Sequence, residues 1–183
     1  INRKKYTWGE TENCIFKLTK ILKRDLKEGD RVLLVSENRP EWFICDLSIM
    51  LSNGIAVPAY TTYTENDYKY LIEDCEPTVV IVSSNYLHKK LEKTIGEKEY
   101  IKTVIVFENI TSKNNNKKYL YINSIFKENL SADDKNKNNK QKRNSPACII
   151  YTSGTGGNPK GVILSHGGIL NNLEGANEIL KPL

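Results

Sequence analysis

Thr78-Val-Val-Ile-Val82 is a run of β-branched residues with no polar alternation. A strand wetted on one face alternates apolar and polar side chains, whereas a strand covered on both faces reads as a continuous apolar run. Arg31-Val-Leu-Leu-Val35, Ile55 to Tyr60 and Thr103-Val-Ile-Val-Phe107 have the same character. Helix-like segments lie between them. Thr7-Trp-Gly-Glu10 has the form of a capping box, after which Ile15, Leu18, Leu22 and Leu26 recur at spacings of three and four until Gly29 breaks the pattern. Pro40 sits where a first helical turn tolerates it, and Trp42, Phe43, Ile44, Leu47, Ile49, Met50 and Leu51 surround the following helix, which is expected to be heavily buried. Thr64-Glu-Asn-Asp67 starts a third helix and Tyr86 to Lys98 forms a charged fourth. Parallel strands need crossovers of this kind. The expectation is therefore an α/β fold with a largely parallel sheet of four or five strands flanked by helices, without internal repeats.

The 183 residues carry 27 Lys and Arg against 22 Asp and Glu, and this basic excess is local. Residues 111–144 hold nine basic and three acidic side chains, a net +6, so the remainder carries −1. Lys113-Asn-Asn-Asn-Lys-Lys118 and Lys135 to Arg143 have no apolar period and read as a solvated loop, apart from a short element anchored by Tyr121, Ile122, Ile125 and Phe126. A nucleic-acid partner is not expected, because aromatic residues for base stacking are absent from Lys135 to Arg143. Cys14, Cys45, Cys75 and Cys148 are far apart, with no Cys-x-x-Cys pair, so neither a disulfide framework nor a zinc site is indicated; buried, reduced thiols in a cytoplasmic protein are the expectation. No apolar run approaches the ~18 residues of a membrane helix. The chain begins with Ile1 and stops after Pro182-Leu183, and is read as a piece of a longer protein in three parts: a first α/β part over 1–110, the Lys/Asn-rich segment over 111–144, and a glycine-loop part over 145–183.

Two strand-like runs, Ala147-Cys-Ile-Ile-Tyr151 and Val162-Ile-Leu-Ser-His166, bracket Thr152-Ser-Gly-Thr-Gly-Gly-Asn-Pro-Lys-Gly161. Glycines let a backbone wrap its N–H groups around an anion, hydroxyls add short donors, and a lysine adds a compact positive charge. A P-loop would place Gly-Lys-Ser/Thr at a helix start, whereas Lys160 follows Pro159 and precedes β-like residues. The dinucleotide fingerprint fails too, since Gly154-Thr-Gly156 is followed by Gly157, Asn158 and Pro159. A simple hairpin turn needs only one or two special residues. His166 reads as the strand exit and the helix start rather than as a catalytic group, His88 is expected to be exposed beside Lys89 and Lys90, and Asn38, Arg39 and Glu41 are accounted for by a strand-to-helix turn.

Tyr151-Thr-Ser-Gly-Thr-Gly-Gly-Asn-Pro-Lys-Gly-Val162 resembles the phosphate-loop motif of the AMP-forming acyl-activating enzymes. Gly29-Asp-Arg-Val-Leu-Leu-Val35, Glu37-Asn-Arg-Pro-Glu-Trp-Phe43, Gly54 to Thr62 and Leu71-Ile-Glu-Asp74 extend the likeness along the early part of that family's large N-terminal domain. Asn38-Arg-Pro-Glu-Trp42 and Tyr60-Thr-Thr62 are most similar to its long-chain fatty acyl-CoA synthetase branch. The resemblance implies a ligase that uses ATP, Mg2+ and coenzyme A to convert a fatty acid to acyl-adenylate and then to acyl-CoA. Other adenylate-forming enzymes, such as aryl-CoA ligases or peptide-synthetase adenylation domains, are the alternative, and a non-catalytic basic binding module is a more distant one. It also implies a cytoplasmic protein with peripheral membrane contact as an option. Thr152, Ser153, Gly154, Thr155, Gly156, Gly157 and Lys160 would bind the phosphates, with Gly156 standing where the family commonly has threonine. No catalytic residue or metal ligand is assigned within these 183 residues; that machinery is expected in the remainder of the enzyme.

Overall fold

The first helix, α1 (Trp8–Asp25), starts as its sequence demands: the Thr7 hydroxyl accepts from the Glu10 N–H at 3.2 Å while the Glu10 carboxylate accepts from the Thr7 N–H at 2.7 Å. These two bonds satisfy donors that a helix start leaves orphaned. In the computed structural model, which describes residues 5–135, 141–153 and 159–181, the chain then runs through β1 (Arg31–Val35), α2 (Pro40–Leu51), β2 (Ile55–Ala59), α3 (Glu65–Cys75), β3 (Val79–Val82), α4 (Asn85–Glu97) and β4 (Thr103–Val106). It continues with β5 (Lys118–Tyr121), α5 (Ile122–Ile125), β6 (Pro146–Thr152), β7 (Lys160–Ser165) and α6 (His166–Leu180).

Seven strands form one sheet in the order β5-β4-β3-β1-β2-β6-β7, parallel throughout except for the antiparallel β6/β7 pair. The expectation of four or five strands fell short chiefly at β5, a Lys-Tyr-Leu-Tyr strand on the sheet edge that needs little apolar character because only one side is paired. It lies inside the Lys/Asn-rich segment, beginning at Lys118 just ahead of the short element anticipated there. Residues 136–140 of that segment lie outside the described residues.

Strand side chains alternate between faces, and the continuous apolar runs fill both. Val32 and Leu34 of β1 join Val79, Ile81 and Ile105 against Leu18, Leu22, Cys45 and Ile49 of α1 and α2. Leu33, Val35, Val80, Val82, Val104 and Val106 face Tyr68, Leu71, Leu87, Leu91 and Ile95 of α3 and α4. The result is a sheet sandwiched between two helical layers. The α2 helix is less enclosed than its sequence suggests: Ile44, Cys45 and Ile49 are buried, but Phe43 is 43% exposed. All four cysteines are free and buried, and no described helix is long and apolar enough to cross a membrane.

His88 is the clear correction. It is fully buried, with its Nε2 3.2 Å from the Tyr119 hydroxyl, and its Nδ1 has no partner among the described residues. Burial lowers its pKa, while Glu92 pulls the other way. On α4 it falls on the stripe Leu87, Leu91, Thr94 and Ile95, so helical period outweighs its two lysine neighbours.

Asp46 on α2 is costly where it stands. Burial pushes its carboxyl up to about 6; burial likewise raises the Cys45 and Cys148 thiols, with the Glu41 and Asp46 charges adding to the rise at Cys45 and the Asp46 charge at Cys148. The unfolded chain loses this proton near pH ~3.9, so between about pH 4 and 6 the folded state holds the extra proton and stability falls as pH rises. Asp46→Asn is therefore expected to stabilise the fold by about 1–3 kcal/mol at pH 7 and by almost nothing below pH ~4. Urea titrations of both proteins at pH 4, 5.5 and 7 would show this; a gain that does not depend on pH would contradict it.

Candidate functional site

Parallel strands present all their carboxyl ends on one edge of the sheet, and loops there form a crevice. Ser36, Glu37 and Asn38 follow β1, Tyr60 and Thr61 follow β2, and Tyr151 nears the end of β6. With Trp42 and Pro58 they line an open cavity of about 480 Å³, a size that suits a small molecule. The Ser83 hydroxyl after β3 donates to the Glu37 carboxylate at 2.5 Å, joining the two strand ends from which the chain departs to opposite sides of the sheet. The Tyr68 hydroxyl donates to the Tyr60 carbonyl at 2.7 Å and holds the β2 loop.

Arg39 and Glu41 belong to the turn, as their sequence position indicates. Arg39 Nε donates to Glu41 Oε2 at 2.9 Å, the Tyr6 hydroxyl donates to Glu41 Oε1 at 3.0 Å, and the Arg39 guanidinium lies 5.1 Å above the Phe107 ring. Burial alone would raise the Glu41 carboxyl, but the Arg39 guanidinium, a backbone N–H and Tyr6 hold it at about 2. Asn38 differs in lining the cavity.

The glycine-rich stretch leaves the same edge. β6 and β7 pair antiparallel down to Thr152 opposite Lys160, with Tyr151 opposite Gly161 one step below. Thr152 and Lys160 thus stand side by side at the neck of the loop, Ser153 follows, and all three are exposed. Lys160 opens a strand rather than a helix, as expected, and takes part in none of the ion pairs among the described residues. Gly154, Thr155, Gly156 and Gly157, the other residues assigned from sequence, lie outside the described residues.

No local sequence signal marks what surrounds the neck. The Tyr151 ring packs against Gly161, where an added Cβ would come within 3.3 Å of Tyr151 Cζ and 2.8 Å of Ile149 Cγ2. The Tyr151 hydroxyl donates to the Asp74 carboxylate on α3. Burial, and then this carboxylate, push the Tyr151 phenol well above its ordinary value. From the same helix the Tyr70 hydroxyl donates to the Pro159 carbonyl at 2.9 Å. Tyr70 and Asp74 are four residues apart and share a helical face, but nothing local foretells partners more than 70 residues away.

His166 begins α6 at the far end of β7, roughly 20 Å along the strand from Lys160 at about 3.3 Å per residue. Its N–H donates to the Ser145 carbonyl and Ser165 caps the helix, in keeping with a strand-to-helix junction. Among the described residues no group of three or more His, Cys, Asp or Glu could hold a metal ion.

The chain is 30% identical to fatty acyl-CoA synthetase A of Dictyostelium discoideum over 159 residues, covering 83% of the chain and 23% of that protein. It is 28% identical to long chain acyl-CoA synthetase 3 of Arabidopsis thaliana over 187 residues, covering 98% of the chain and 28% of that protein. It therefore spans about a quarter of the length of these relatives. Among solved structures, ATP-bound MatB from Rhodopseudomonas palustris shares the fold with a TM-score of 0.77 at 22% identity, over 96% of this chain and 32% of that one. The AMP-binding enzyme family model matches residues 1–182, and the chain belongs to that family.

Proposed function

We propose that the chain supplies the ATP phosphate-binding neck of a long-chain fatty acid–CoA ligase. The observation that carries this is the Thr152/Lys160 pair at the mouth of a hydroxyl- and glycine-rich loop, on the edge of the sheet where the cavity opens. Hydroxyls and an ammonium that is in no ion pair among the described residues, grouped at the neck of one loop, suit a polyphosphate. Family membership and the two acyl-CoA synthetase relatives support the substrate class.

The reaction so proposed joins a carboxylate to the α-phosphate of ATP with release of pyrophosphate, then passes the acyl group to the thiol of coenzyme A with release of AMP. In it, the Lys160 ammonium and the Thr152 and Ser153 hydroxyls hold the β- and γ-phosphate oxygens, and Gly154 to Gly157 add backbone N–H donors. Their contribution is positioning and charge stabilisation; no proton moves through them. We further propose fatty acid, ATP and coenzyme A as the small-molecule partners, and a cytoplasmic location with peripheral membrane contact.

The test is ATP–pyrophosphate exchange by the whole gene product, driven in turn by fatty acids of increasing length and by aromatic carboxylates. Exchange driven by long-chain fatty acids is expected. Exchange driven only by aromatic acids would move the protein to another branch, and no exchange with any carboxylate would overturn the reading.

A further inference from the structure

The neck of the loop is gripped from one helix at two symmetric points. Pro159, whose carbonyl accepts from Tyr70, immediately precedes Lys160; Tyr151, whose hydroxyl donates to Asp74, immediately precedes Thr152. Both members of the Thr152/Lys160 pair therefore have a neighbour tied to α3. That helix is itself immobilised. Thr64 and Asp67 close a capping box at its start, Leu71 and Ile72 are buried in the core, and the Tyr100 hydroxyl donates to the Ile72 carbonyl at 3.1 Å. Gly161 completes the device, because its missing side chain leaves room for the Tyr151 ring to cross toward α3.

We infer that Tyr70 is a positioning residue for Lys160, acting through the Pro159 carbonyl. A peptide unit is planar, so fixing its oxygen fixes the rotation of the whole Pro159–Lys160 plane, and with it the Lys160 N–H and the direction in which the lysine side chain departs. The Pro159 ring restricts the backbone on the other side of that plane. Without the phenolic hydroxyl the plane can rotate and the ammonium spends less time where the departing pyrophosphate needs it. Electrostatic stabilisation of a developing charge depends on donors already in place, so the loss falls on the pyrophosphate-releasing step. This inference rests on the phosphate-binding reading of the loop.

The experiment compares Tyr70→Phe with Lys160→Ala in the whole gene product, because phenylalanine keeps the ring and removes a single hydroxyl. Tyr70→Phe is expected to lower kcat/KM for ATP in fatty-acid-dependent pyrophosphate exchange by about 3- to 10-fold, the range one hydrogen bond supplies. The fatty-acid and coenzyme A KM values should stay within about twofold and Tm within about 2 °C, which separates positioning from general loosening. If Lys160→Ala cripples exchange while Tyr70→Phe leaves ATP kinetics untouched, the inference falls and the phosphate reading stands. Equal losses for all three substrates, or a large drop in Tm, would make Tyr70 merely structural and also overturn it. If neither variant alters exchange, the phosphate reading fails and takes the inference with it.

Discussion

Lys160→Ala in the whole gene product is expected to slow adenylate formation by about 10²- to 10³-fold, as loss of one preorganised charge-stabilising group does. Lys160 is the first residue of β7, exposed, and holds no ion pair among the described residues whose loss would loosen the fold. Tm should therefore hardly move. Additional negative charge develops on the β- and γ-phosphates as the bond between the α-phosphorus and the β-phosphate oxygen breaks, so thioester formation from preformed acyl-adenylate should be far less affected. Rapid-quench measurement of each half-reaction tests this; the same loss in both would show that the lysine shapes the site instead of stabilising the leaving group.

The 183 residues expressed by themselves are expected to give no fatty-acid-dependent exchange above background under conditions in which the whole gene product is active. They cover about a quarter of the length of the acyl-CoA synthetases they match. The described residues provide one wall of a cavity and the neck of a loop, and a cradle that holds a triphosphate does not also orient the attacking carboxylate. They also expose apolar side chains. Ile163 of β7 is 62% exposed and Val162 and Leu164 about 40% each (44% and 39%), while Leu173 and Ile179 of α6 reach 63% and 76%. Exposed apolar side chains of that kind favour association, so size-exclusion elution is expected to shift with concentration. Exchange by the 183-residue chain at the rate of the whole gene product would refute the ligase assignment as framed.

The helical layers and the inner strands were legible because their signals are local. Two capping boxes, at Thr7/Glu10 and Thr64/Asp67, and the unbroken Val/Ile runs each declare themselves within a few residues. Edge strand β5 escaped because Lys118 and its Asn/Lys-rich surroundings mask a pairing that only β4 makes possible. The buried place of His88 follows from its position on the α4 stripe, which its two lysine neighbours obscure. At the site, the motif located Thr152 and Lys160 without saying that they face each other. The Tyr70–Pro159 and Asp74–Tyr151 bonds join residues 89 and 77 positions apart, so they exist only once the sheet does.

The strand order also sets a timetable. β1 to β5 find all their mutual partners between Arg31 and Tyr121, whereas β2 must wait for β6, meeting it where Ala56 pairs with Cys148. At a synthesis speed of roughly 5–20 residues per second, the chain between those two residues takes on the order of 5–20 s to make. Only late in that interval, once Tyr121 has been made, can the nascent sheet hold β1 to β5, and until β6 arrives its β2 edge is unpaired, the kind of surface that recruits stray strands. Ile150 and Tyr151 then arrive as the last side chains of the cavity wall, bringing the glycine-rich loop with them. A ribosome stalled before residue 146 thus carries the residues of β1 to β5 but neither the partner of the β2 edge nor the part of the cavity wall that β6 supplies.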